Sequence, residues 1–156
     1  MKTHHYSINL NWTGNRGAGT SAYNAYGRDH AIAAPDKTVT LELSSDPHFR
    51  GDKTRYNPEE LLVASLSSCH LLSYLHLCAI NNVVVTAYED NATGTMIEDE
   101  ISARITEVTL RPKVSITPTS DPAKAIELHE EASKLCFIAR SVNFPVHHEP
   151  TLTSGN

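Results

Sequence analysis

The sequence predicts an α+β fold: antiparallel sheets wrapped around a long central helix, with a second helix near the end. Three observations carry this. Asn57-Pro58-Glu59-Glu60 opens a long apolar stretch with the residues that start helices. Before and after it, Tyr6-Ile8-Leu10-Trp12 and the segment Ile101 to Ile116 alternate apolar and polar positions, as half-buried strands do. Then Asp121-Pro122 opens a stretch in which Ile126, His129, Ala132, Leu135 and Cys136 recur three or four apart, the spacing of one helix face. At 156 residues the chain has the length of about one domain, and we read residues 1–156 as a single one. A chain of this size buries roughly 70% of its unfolded surface, so folding requires neither disulfide nor metal.

In chain order, Tyr6 to Trp12 is a strand, Thr13 to Gly19 a glycine-rich turn, and Thr38 to Leu43 a returning strand. Ser44 to Tyr56 is a polar loop. Asn57 is the expected N-cap, accepting from the Glu60 backbone N–H, while the Glu60 carboxylate reaches back as in a capping box. The helix then runs from Pro58 to about Ile80, roughly 34 Å at 1.5 Å per residue. Its apolar residues wrap most of its circumference, which predicts burial on most sides, and Ala64, Ser65, Ser67 and Ser68 leave room for close approach at its middle. Asn81-Asn82 is a plausible left-handed exit. Val83 to Tyr88 is β-branched and strand-like, Asp90 to Gly94 a turn, Ile101 to Ile116 one or two long strands. After the second helix, Phe137 to Val142 reads as a short helix and Phe144-Pro145-Val146 as a last strand.

With 13 Lys and Arg against 18 Asp and Glu, the net charge is −5. That argues against a general binder of nucleic acid or anionic membrane, both of which favour a basic excess. The start, MKTHHYSINLNW, has no apolar secretory core, and the apolar run Leu61 to Ile80 is broken by Ser and His, so a buried helix is expected rather than a membrane span. Three cysteines, an odd number without a signal sequence, point to a reducing cytoplasm. On the helix, Cys69 and Cys78 are nine apart and face nearly opposite sides, so they do not pair. Cys69 shares a face with His76, but about 10 Å away along the axis, too far for a direct thiol–imidazole contact. Cys69 lies beside the small residues, where a ligand reaches its sulfur; Cys78 lies among apolar neighbours and reads as core. Nine histidines raise a competing reading, a metal site drawn from Cys69, His70, His129, Cys136 and His147-His148, although no CxxC or HxxxH is present. His4-His5 and His147-His148 are expected in solvent, as is the acidic face Glu127, Glu130, Glu131.

The run Asn57-Pro58-Glu59-Glu60-Leu61-Leu62, with Cys69 ten residues after Glu59, resembles the central helix of the OsmC/Ohr family, the osmotically inducible and organic hydroperoxide resistance proteins. Leu135-Cys136-Phe137-Ile138 with Ser141-Val142-Asn143 resembles that family's second redox position, and the order of elements agrees over nearly the whole chain. The nearest likeness is to the OsmC-like branch. Two departures stand out: Phe137 where many members have Pro, and His70 where an apolar residue is common.

The resemblance implies a thiol-dependent peroxidase reducing organic hydroperoxides, with Cys69 as nucleophile and Cys136 as resolving thiol. It implies an arginine to hold the thiolate and a glutamate to orient it. Glu59 matches the glutamate; Arg16, in Thr13-Gly14-Asn15-Arg16-Gly17, resembles the arginine turn, with Arg28, Arg50 and Arg55 as rivals. Glu59 is about 15 Å along the helix from Cys69 and acts only through such an intermediary. No cofactor or metal is implied; an external dithiol or lipoyl-type reductant is. The family also implies an intertwined homodimer with active sites at its interface. A non-enzymatic OsmC-like protein binding a small apolar ligand is the alternative.

Overall fold

The computed structural model describes residues 1–154. The chain falls into two compact units, divided after Leu61. The first holds an antiparallel sheet of three short strands, β1 (Asn9–Trp12), β2 (His30–Ala33) and β3 (Leu41–Leu43), in that order. The sequence reading anticipated β1 and β3 but not β2, whose His-Ala-Ile-Ala carries a single β-branched residue. Trp12 Nε1 donates to the Gly27 carbonyl at 2.9 Å, and the Gly27 N–H donates to the Gly14 carbonyl at 2.8 Å. The two backbones approach so closely that a Cβ on Gly14 would lie 2.0 Å from the Gly27 oxygen. Only glycine fits there.

The loop after β3 contains a 3₁₀ turn, Pro47–Phe49, capped by the Asp46 carboxylate. It leads into the capping box as read from the sequence. Asn57 Oδ1 accepts the Glu60 N–H at 2.8 Å, and Glu60 Oε2 accepts the Asn57 N–H at 3.1 Å. The helix α1 spans Pro58–Ile80 and ends on Asn82, at φ 57°.

The second unit begins within α1 and continues through β4 (Val85–Asp90), β5 (Thr93–Glu98), β6 (Ala103–Leu110), β7 (Pro112–Ile116), α2 (Pro122–Leu135), β8 (Val146–His148) and β9 (Thr151–Ser154). Two sheets form, in orders β4-β7-β9 and β5-β6-β8. β4 with β7 and β5 with β6 are antiparallel, but β6 with β8 and β7 with β9 are parallel. This modifies the expectation of antiparallel sheets. The physical reason is α2: a helical crossover returns the chain to the end from which β6 and β7 started, which parallel pairing requires. β5 and β9 were not anticipated; β5 lies in what the sequence suggested was chain beyond a turn.

Two core clusters flank α1. Tyr74, Leu77 and Cys78 pack with Val83, Val114, Ile116 and the α2 residues Ala125, Leu128 and Ala132. Nearer the start of the helix, Leu66 packs with Val108 and Leu110. A Cβ on Gly94 of β5 would lie 2.8 Å from the Val63 side chain, so strand and helix touch there through a glycine. The expectation that α1 is buried on most sides is corrected. Its buried residues are Leu66, His70, Tyr74, Leu77 and Cys78, a single stripe, while Leu72 and Ile80 are 65% and 62% exposed. The sheets and α2 present a core to one face of the helix only.

Candidate active site

Cys69 sits halfway along α1 and is half-exposed; Cys78, on the other side, is buried. Cys136 forms the C-cap of α2, its N–H donating to the Ala132 carbonyl at 3.0 Å. The chain then turns through a short 3₁₀ segment, Ala139–Ser141, which aims the Ala139 N–H at the Cys136 sulfur at 3.4 Å. This turn directs the Cys136 thiol inward, where it lies near the Cys69 thiol. All three cysteines are free. The structure thus brings together the two cysteines singled out from the sequence, which are 67 residues apart in the chain.

Burial, with a smaller contribution from the Cys69 thiol, pushes the Cys136 thiol up to about 11. Cys136 therefore keeps its proton at neutral pH. Cys69 opens on a cleft of about 290 Å³ lined by Ser65, Ser68, Leu72, Ser73, Phe137 and Ile138. Ser65, Ser68 and Ser73 bring hydroxyls to it. Leu72, Phe137 and Ile138 make the rest apolar, and Phe137 is 77% exposed at the rim.

The remaining predicted residues lie in the first unit. Arg16 is in the glycine-rich turn, its guanidinium beside Gly27. Glu59 is the second residue of α1 and half-buried. No ion pair joins Arg16 to Glu59 among the described residues. Arg55 is paired with Glu42 at 2.8 Å and with Asp52 at 3.9 Å. Arg28 lies over the rings of Tyr23 and Tyr26, at 4.4 and 4.1 Å, and donates to the carbonyls of both. Arg50 has positive φ and lies 5.9 Å from the Tyr23 ring centroid.

One buried feature was only partly visible in the sequence. His70 and His129 are joined Nε2 to Nδ1 at 3.0 Å, and His148 packs on His70 with ring centroids 4.4 Å apart. His148 was expected in solvent and is instead half-buried; the parallel pairing of β8 carries it inward. Desolvation holds His70 down to about 3 and His129 down to about 4, and lowers His148 as well. The signal lay in His129, on the apolar face of α2, and in His70 and Tyr74, one turn apart on α1. Among the described residues no three His, Cys, Asp or Glu side chains converge as a metal site.

Fold and site together define an α+β protein with two thiols facing each other beside an apolar cleft. Residues 51–151 match the OsmC-like protein family, and the chain belongs to that family. An OsmC-like protein of unknown function from Vibrio cholerae is 31% identical, with a TM-score of 0.85 over 96% of this chain and 100% of that one. The organic hydroperoxide resistance protein OhrB of Bacillus subtilis shares the fold at 20% identity, TM-score 0.63, over 95% of this chain and 98% of that one. An OsmC-like protein from Mycoplasma pneumoniae shares it at 13% identity, TM-score 0.73, over 97% and 99%. No curated protein matches the chain.

Proposed function

We propose that the protein is a thiol peroxidase that reduces organic hydroperoxides in a reducing cytoplasm. The observation that carries this reading is the pair Cys69 and Cys136: one half-exposed on a cleft, the other buried near it. In the first step the Cys69 thiolate attacks the distal peroxide oxygen. The O–O bond breaks, sulfur is oxidised to a sulfenic acid, and the alkoxide takes a proton and leaves as alcohol. In the second, the Cys136 thiol displaces the sulfenic oxygen, which leaves as water, and a disulfide forms. An external dithiol, such as a lipoyl group, then reduces it by exchange.

Leu72, Phe137 and Ile138 favour an alkyl group in the cleft, which supports organic hydroperoxides over hydrogen peroxide. Arg16 holds the thiolate and Glu59 orients Arg16 once the site is complete. Arg16 is favoured over Arg28 and Arg55 because those two already have aromatic or carboxylate partners. We assign the complete site to a homodimer. Both units leave apolar side chains uncovered, Leu10, Trp12 and Leu41 in the first and Leu72, Leu75 and Ile80 in the second, and a second copy covers such faces.

The test is stopped-flow oxidation of the reduced protein by an alkyl hydroperoxide and by hydrogen peroxide. Faster reaction with the alkyl substrate supports the reading. Failure to react with either leaves the cleft as a binding site for a small apolar ligand.

A further inference from the structure

The two thiols are positioned by helices, and those helices are tied together close by. His70 follows Cys69 on α1. His129 lies seven residues before Cys136 on α2, about 10 Å along the axis. Their 3.0 Å contact is the sole side-chain to side-chain hydrogen bond between α1 and α2 among the described residues. The rings are 0% and 2% exposed and lie within 13° of parallel. Tyr74 stacks on His129 at 3.8 Å and donates to the Ala125 carbonyl, so the contact is held on its flank.

Such a bond needs one donating and one accepting nitrogen, so at least one ring must be neutral. A first added proton places a cation in a desolvated site; a second sets N–H against N–H. The titratable groups that face the pair are Tyr74 from α1 and His148 from β8; behind them, on β4, Tyr88 packs on Tyr74 and Asp90 lies near His148. Asp90 is the one carboxylate among them, and its oxygens already accept from the Ser67 hydroxyl and the Arg111 N–H. His70 Nδ1 and His129 Nε2 have no partner, so separation of the helices lets water reach four imidazole nitrogens.

We propose that His70 and His129 are positioning residues, a neutral imidazole latch that keeps Cys136 closed against Cys69 and releases it in acid. The proposal rests on reading the two cysteines as a working pair, as above. Its test needs no peroxide. Reduced protein is treated with N-ethylmaleimide between pH 7.5 and pH 5. Alkylation of Cys136 and of Cys78 is counted by mass spectrometry, each rate divided by that of urea-unfolded protein at the same pH.

Protection of Cys136 should fall about tenfold or more over this range as the open form takes up protons, while buried Cys78 stays protected. In His70→Gln/His129→Asn, whose amides offer hydrogen-bonding atoms near the same positions without titrating, protection of Cys136 should be flat within about twofold. His129→Phe should lower it already at pH 7.5, and His129→Asn should restore it. A flat profile in the parent overturns the proposal. So does an unchanged slope in the double variant. Equal loss at Cys78 and Cys136 overturns it too, because it reports global unfolding; this contrast requires no substitution. Peroxide consumption is measured separately, so inactivity toward hydroperoxide sinks the peroxidase reading without touching the protection profile.

Discussion

Cys69, Cys78 and Cys136 are three residues of one type in three environments: half-exposed on a cleft, buried in the core, and buried against another thiol. Burial raises Cys78 above the ordinary thiol range, so it is protonated and inert. Replacing it by Ser should leave hydroperoxide turnover within about twofold while lowering stability, since a hydroxyl is less at home in an apolar core. Cys69→Ser should abolish turnover. Cys136→Ser should permit one oxidation per chain and no more with a dithiol. Steady-state hydroperoxide consumption and the mass of the oxidised protein decide among these, and full turnover by Cys69→Ser would sink the assignment.

The histidines make a second prediction at this scale. His129 is held from 6.5 down to about 4 by desolvation. The unfolded chain therefore binds the proton first, and stability is complete above about pH 6.5 and declines toward pH 4. At about 1.4 kcal/mol per pKa unit, His129 alone withdraws about 3 kcal/mol over that interval. Urea unfolding against pH measures it, and His70→Gln/His129→Asn should remove most of the decline.

Among the elements, α1 shows how local chemistry and packing divide the work. Its start is set by the reciprocal bonds of Asn57 and Glu60. Asn57→Ala should cost about 1 kcal/mol, with Asn57→Asp costing less, as the carboxylate still caps. Its second turn packs on β5 through Gly94. Gly94→Val should cost about 1–3 kcal/mol by overpacking against Val63. Both are read as shifts in the urea midpoint at constant slope. α2 is different: its amphipathic spacing, Asp121 cap and C-terminal Cys136 were all legible in the sequence, but the inward aim of the Cys136 thiol depends on the turn through Ala139, which periodicity does not report.

At the scale of the whole molecule, both units carry exposed apolar side chains that a second copy covers in the proposed dimer. If two copies pack through α1, as proposed, sedimentation equilibrium of the purified protein should give twice 17.1 kDa. Leu75→Asp should then weaken the dimer and reduce hydroperoxide turnover together. A monomer with full activity would remove the dimer from the proposed mechanism.

The sequence by itself determined the α+β class, the limits of α1, the capping box and the start of α2. These are local or periodic signals, carried by residues within a few positions of one another. The tertiary structure alone decided that β6 with β8 and β7 with β9 run parallel, that α1 buries one stripe, and that His148 turns inward onto His70. Each of these depends on which segments distant in the chain come to lie side by side. The apolar circumference of α1 illustrates the limit: composition states how much surface seeks cover, and only the packed chain states which part of it the same chain covers.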